Sequence, residues 1–325
     1  MKLITGCWFE FRHHSAAEGL HYNSSLHDFT GDQWRAMISD MAELGMDTLV
    51  LTCSSLAYAD SAESYAPVTV FPQSDMVCPN AMDILMEEAA RLHLSVYLSV
   101  GFYGNWVDPV GNMRSAEVEE RAKTAAQTLY AAYASNPAFA GWYLPDETEA
   151  GPYFAPVFMD YAARYCRFLR AIDPAKKILI APYGTNKIVP DETFVEQLRQ
   201  LDVDYIAYQD EVGVEKSTAE QTGGYYQGLR KAHDLAGRSH LWCDMEVFSF
   251  EGQVYKSALL PAPIERIEQQ MRAVSPHVEK ILCYAYPGLM ARPGSAACYG
   301  DHHSPEKLYA DYQALARACR DAENS

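Results

Sequence analysis

Eight short apolar runs, eight intervening segments of helical spacing and an asymmetry in connection length together predict a single (β/α)8 barrel over residues 1–325, with long loops at its C-terminal face. The runs are Leu3–Phe9, Thr48–Cys53, Ser95–Phe102, Phe139–Leu144, Lys177–Tyr183, Tyr205–Gln209, Leu241–Phe248 and Lys280–Tyr286, each short enough for a strand and apolar on both faces. A doubly wound open sheet would place a Gly-rich turn after an early strand, and the chain contains neither G-x-G-x-x-G nor a P-loop. No Ser/Gly/Pro tract, charge block or repeat divides it.

Helix ends are legible between the runs. Gln33–Leu44 stops at Gly45; Ala81–Leu92 follows Pro79-Asn80; Ser115 caps a long segment to Ala134; Tyr153–Ile172 stops at Asp173-Pro174. Asp191–Leu201 follows Pro190, and Ser217-x-x-Glu220 reads as a capping box opening a helix to Ala236 with Gly237 after it. Ile264–Val274 ends before Pro276, and Ser304-Pro305 supplies a cap and a first-turn proline for Glu306–Cys319. Helix-to-strand turns are short, as at Gly45-Met46-Asp47, whereas Glu10–Asp32, Ser54–Asn80, Tyr103–Ser115 and Pro287–Ser304 are long. Long loops gathered at the strand C-termini mark that face as the functional one.

Composition narrows the function classes. A formal charge of −17 and a pI near 4.9 disfavour nucleic acid, which is bound through clustered Lys and Arg, and favour neutral ligands. An aromatic share of 12% supplies flat rings for stacking on sugars. The N-terminus carries no signal-like apolar stretch and no run reaches the roughly 18 to 20 residues of a membrane span, so a cytoplasmic protein without membrane association is expected. Eight Cys without a Cys-x-x-Cys pair, four of them (Cys7, Cys53, Cys243, Cys283) inside apolar runs, read as buried free thiols.

The chemistry is concentrated at the ends of two runs. Phe-Ala-Gly-Trp-Tyr-Leu-Pro-Asp-Glu, residues 139–147, is apolar until it delivers Asp146 and Glu147, and His240–Phe248 carries Asp244 and Glu246. Side chains alternate along a strand, so Tyr143 shares a face with Glu147, and Trp242 with Asp244 and Glu246. If those faces point inward, both glutamates rise into the barrel mouth. Such a pair suits glycoside hydrolysis, one acid protonating the leaving oxygen while the other attacks the anomeric carbon or activates water.

The pattern Asp146-Glu147 with Glu246 resembles clan A of the glycoside hydrolases, TIM barrels with an acid/base Glu after strand 4 and a nucleophilic Glu after strand 7. Gly-Trp-Tyr-Leu-Pro-Asp-Glu (141–147) with Tyr-Gln-Asp-Glu-Val-Gly (208–213) also resembles a bacterial barrel family, domain of unknown function 4434, whose members are taken for glycoside hydrolases. The resemblance implies Glu147 as acid/base and Glu246 as nucleophile, a retaining mechanism and no cofactor or metal. In that clan Asn usually precedes the strand-4 Glu; Asp146 stands there instead and cannot donate an amide hydrogen bond to a sugar hydroxyl.

Substrate contacts are expected from Glu10, Asp146, Gln209 and Asp210, with Trp8, Tyr103, Tyr183, Trp242 and Tyr286 as stacking rings. The expected partner is a small carbohydrate or glycoconjugate; oligomeric state is not legible. Other readings stay open here. Asp146 could cap the next helix, Asp244 could merely orient Glu246, Glu211 and Glu215 read as solvated, and Arg12 or Arg292 could tie up the glutamates. A metal-dependent isomerase or epimerase would use Glu147, Asp210, Glu246 and a histidine, with His13-His14 and His302-His303 in loops near the mouth. A non-catalytic carbohydrate-binding barrel is the third reading.

Overall fold

The structure, a computed structural model, describes residues 1–299 and 304–323. Its core is a closed barrel of eight parallel strands: β1 Ile4–Phe9, β2 Thr48–Leu51, β3 Ser95–Ser99, β4 Phe139–Leu144, β5 Lys177–Ile180, β6 Tyr205–Gln209, β7 His240–Glu246 and β8 Lys280–Tyr284. Each strand pairs with its sequence neighbour, and β8 closes on β1 through Ile4–Ile281 and Cys7–Cys283. Several runs end earlier than their apolar composition predicts. Cys53, Val100, Ala181 and Tyr286 lie beyond the strand ends yet are buried, because loops fold over the rim and keep them from water.

Strand parity sets the layers. One residue per strand, Trp8, Val50, Tyr97, Tyr143, Leu179, Ala207, Trp242 and Leu282, fills the barrel interior. The alternate residues, such as Phe9, Leu51, Leu98, Trp142, Ile180, Tyr208, Met245 and Cys283, pack outward against the helices. Because both faces are buried, the strands read as continuous apolar runs and not as alternating ones.

The helices are α1 Gly31–Leu44, α2 Ala81–Arg91, α3 Ala116–Tyr133, α4 Pro156–Ile172, α5 Glu192–Gln200, α6 Ala219–Ala236, α7 Ile264–Val274 and α8 Ser304–Glu323. Helix α1 ends at Gly45 with φ +102°, a left-handed cap that glycine adopts without a Cβ clash. The capping box of α6 is one residue later than expected: Thr218 is the cap, its N–H donating 2.9 Å to Gln221 Oε1. Ser217 is drawn into the preceding turn by its bond to the Glu211 carbonyl. Helix α4 starts at Pro156 and not Tyr153, since proline's fixed φ suits the first helical position. Two small hairpins (Ser55–Ala57 with Ala62–Ser64, Phe248–Phe250 with Leu259–Pro261) and short helices at Asn23–Asp28 and Pro109–Arg114 all lie in strand-to-helix connections, thickening the C-terminal face. All eight cysteines are free and six are buried. Among the described residues no helix is long and apolar enough to cross a membrane.

Candidate active site

A cavity of about 240 Å³ opens at the C-terminal mouth of the barrel, and both Glu147 and Glu246 line it. Strand parity puts them there. Tyr143 and Trp242 are interior residues, so Glu147, four positions on from Tyr143, and Asp244 and Glu246, two and four on from Trp242, project into the mouth.

Glu147 is held from two sides. The Tyr143 hydroxyl donates to Oε1 at 3.1 Å and Gln209 Nε2 donates to Oε2 at 2.8 Å. Burial pushes its carboxyl up to about 7, the two donors offsetting part of that rise. Glu246, 4% exposed, accepts the Val214 N–H on Oε2 at 2.8 Å. Burial and the Asp210 carboxylate raise its carboxyl well above the ordinary range. Its backbone is clamped from behind by α7, with Gln270 Nε2 and Arg266 Nη2 donating to the Glu246 carbonyl at 3.1 and 3.0 Å.

Asp244 lies in the cavity wall beside them. Trp8 Nε1 donates 2.5 Å to its Oδ2, while Oδ1 is buried with no hydrogen-bond partner, and burial drives the carboxyl well up. Asp244 therefore answers to Trp8 and does not hydrogen-bond Glu246. Phe102, Trp106, Tyr183, Phe248 and Tyr284 supply aromatic walls; His14, Glu18 and Thr52 supply polar ones. Among the described residues no Lys or Arg lines the cavity.

Of the expected contact residues, Tyr183 and Gln209 reach the cavity and seven do not line it. Asp210 has the outward parity of Tyr208: Oδ1 accepts the Glu246 and Val212 N–H groups at 3.1 and 3.3 Å, and Oδ2 accepts Gln270 Nε2 at 2.6 Å. Asp146, outward like Leu144, accepts from Asn112 Nδ2 at 3.2 Å beside the Tyr161 hydroxyl, and burial brings its carboxyl to about 6. It caps no helix. Trp8 and Trp242 are interior packing, stacked on Tyr143 at 4.9 Å and on Tyr205 at 4.1 Å. Tyr103 and Tyr286 leave the ladder and pack beneath the loops, Tyr103 with its hydroxyl 2.8 Å from Ser54 Oγ and Tyr286 edge-on to Tyr309. Glu10 stands beside the cavity under Tyr22 and Tyr284.

Neither arginine ties up the glutamates: Arg12 pairs with Glu63 at 3.0 Å and Arg292 with Glu43 at 3.0 Å. Glu211 is buried beside Lys216, at 3.2 Å, and not solvated, because the turn at residues 211–217 folds back over the barrel end. The metal set of Glu147, Asp210, Glu246 and a histidine is not assembled among the described residues, since Asp210 turns outward. His240 sits at the opposite end with Glu279, and His302 and His303 lie outside the described residues. Tyr284 and Phe248 follow the inward parity of β8 and β7, a signal present in the sequence. His14, Glu18, Phe102 and Trp106 arrive through loop folding, for which the sequence carries no periodic signal.

Many solved structures share this fold, among them the following three. A candidate alpha-L-fucosidase from Bacteroides thetaiotaomicron matches with a TM-score of 0.73 at 16% identity, over 96% of this chain and 94% of that one. The endo-beta-1,4-mannanase from Thermotoga petrophila gives 0.60 at 13% identity, over 96% and 76%, and a family 5 mannosidase from Rhizomucor miehei gives 0.56 at 13%, over 98% and 94%. At such identities the likeness concerns the fold. No curated protein matches the sequence. A family model does match, across residues 4–297: the chain belongs to the family described as domain of unknown function (DUF4434).

Proposed function

We propose that the protein is a glycoside hydrolase of the retaining type, with Glu147 as acid/base and Glu246 as nucleophile. The observation that carries this reading is that the two carboxyls, from β4 and β7, line one cavity and neither forms an ion pair among the described residues. The glycosidase descriptions of the three fold relatives support the same class.

Burial raises both carboxyls, Glu147 to about 7 and Glu246 to about 8, so the division of labour rests on strand position, and the active form is the fraction with Glu147 protonated and Glu246 ionised. A carboxyl raised to about 7 keeps Glu147 largely protonated in mildly acid solution, ready to give its proton to the glycosidic oxygen as that bond breaks. Glu246, oriented through Oε2 by the Val214 N–H, attacks the anomeric carbon in its ionised form to give a glycosyl ester. Glu147, now ionised, takes a proton from the water that hydrolyses that ester, and both groups return to their starting states. Tyr143 and Gln209 fix the acid, and Asp210, through the Glu246 N–H, fixes the strand end that carries the nucleophile.

The substrate is a small sugar. A volume of about 240 Å³ lies below the roughly 300–1,000 Å³ of typical ligand pockets, favouring a single terminal residue. A panel of aryl glycosides tests this. Glu147→Gln and Glu246→Gln should each lower turnover by at least about 100-fold with the fold retained, and NMR of the first-formed anomer should show retention. Unaltered turnover in either variant removes that residue from its role.

A further inference from the structure

We propose that Glu10, His13 and His14 form a binding site for a divalent transition-metal cation, with zinc the best match, at the edge of the cavity. One ligand atom from each residue lies within 4.8 Å of the other two. The three come from the end of β1 and the first residues of the long loop that follows, so a five-residue stretch of chain delivers them to one point. His14 also lines the cavity, which puts a cation held here beside the substrate space.

Two of the three ligands have unspent lone-pair positions in the interior. His13 Nε2 and His14 Nδ1 are buried without any hydrogen-bond partner, and His13 as a whole is 1% exposed. Buried polar atoms in native proteins are almost always satisfied, so two orphaned imidazole nitrogens side by side call for a shared partner. The rings stack at 4.4 Å between centroids and 20° between planes, an arrangement two cationic imidazolium rings would resist and two neutral ligands tolerate. His13 Nδ1 lies 3.1 Å from the Ser15 carbonyl, the contact by which a metal-ligating histidine commonly holds its tautomer and leaves Nε2 free to coordinate. If the Ser15 N–H instead donates to Nδ1, also at 3.1 Å, Nε2–H faces only Glu18 Oε2 at 3.8 Å, too far for a hydrogen bond.

Glu10 completes the set. It is wholly buried, and its partners among the described residues are two long hydroxyl contacts, Tyr22 at 3.4 Å and Tyr284 at 3.3 Å, with no ion pair. A buried carboxylate without a cation is costly, and a metal ion supplies the missing charge. Two imidazoles and one carboxylate form a borderline donor set suited to Zn²⁺ and neighbouring first-row ions, and three protein ligands leave a coordination position open. The inference does not depend on the hydrolase reading.

The test uses the full chain, dialysed against chelator and titrated with ZnCl2 by calorimetry, with the visible spectrum of the Co²⁺ form as a report on ligand type. One equivalent should bind per chain. His14→Ala should weaken binding by more than about tenfold, whereas His27→Ala, at an exposed histidine paired with Asp28 and Asp75, should leave it unchanged. Glu10→Gln, nearly isosteric, serves as the second ligand variant if His14→Ala does not fold. Absence of stoichiometric uptake, or uptake that survives His14→Ala and Glu10→Gln, overturns the proposal whatever the glycosidase assays show.

Discussion

Gln209, the last residue of β6, reaches across β5 to donate from Nε2 to Glu147 Oε2 at 2.8 Å, and the same amide nitrogen donates to the Ala181 carbonyl at 3.2 Å. Two acceptors on one side fix which way the amide points, so the oxygen cannot face Glu147. Gln209→Leu therefore removes a donor that favours the ionised carboxyl and drives Glu147 above its present value of about 7. Because the acid must be protonated to act, the alkaline limb of the rate profile should move up by about one pH unit, with turnover at the optimum falling roughly tenfold as the carboxyl loses one anchor. A pH–rate series on the best aryl glycoside checks both, and an unmoved limb detaches Gln209 from the acid.

Stability should fall as pH rises. Glu147 and Asp146 stand at about 7 and about 6 against ordinary values of 4.5 and 3.8, and Asp244 is raised as well, all chiefly by burial. The folded chain therefore keeps these protons to higher pH than the unfolded chain. Their contribution is full below about pH 4 and is lost as pH climbs through about 6 to 7, each acid adding a slope of up to about 1.4 kcal/mol per pH unit. Thermal melts should give a lower Tm at about pH 8 than at about pH 5. Asp244→Asn, which can still accept from Trp8 Nε1, should flatten that decline, and a Tm that rises with pH would contradict the assignment.

Gln270→Leu leaves Asp210 Oδ2 buried without its 2.6 Å donor and removes one of the clamps on the Glu246 carbonyl. The expected cost is about 1–3 kcal/mol in urea unfolding. Turnover should drop more than KM rises, because the change displaces the nucleophile's strand end and not a sugar contact. A variant as stable as the parent would show that Asp210 does not depend on α7.

Gly141→Ala probes the frame. A Cβ at Gly141 in β4 would fall on the backbone of Lys177 in β5, and backbone in a closed barrel cannot move aside as a side chain can. A loss of about 1–3 kcal/mol is expected in equilibrium unfolding, and full stability would mean that the β4–β5 pairing is looser than it looks.

The barrel was legible because eight apolar runs alternate with capped helical segments, a pattern that few folds satisfy. The caps at Gly45, Ser115 and Gly237 fall where they were read, whereas α1 and α4 start at Gly31 and Pro156 instead of Gln33 and Tyr153, and the error at Ser217 arose because Gln221 serves as well as a glutamate in reaching back to the cap. The two-residue period of a strand put Glu147 on the face of Tyr143 and Glu246 on the face of Trp242, and the structure decided that these faces turn inward. The same period carried to Leu144 and Tyr208 puts Asp146 and Asp210 on the outer face, so that information was present and unused. Tyr103 and Tyr286 could not be placed that way, because parity lapses once the chain leaves the ladder.

By itself the sequence determined the strands and which residues share a face of each, since these depend on local periodicity that needs no long-range coordinates. Tertiary structure decided what surrounds the two glutamates: that Glu10 gathers His13 and His14, that Trp8 spends its indole N–H on Asp244, and that Phe102 and Trp106 wall the cavity. The first and last of these run through irregular loops, where the path is set by which surfaces bury one another, and the Trp8–Asp244 bond joins β1 and β7, strands that are not neighbours in the barrel.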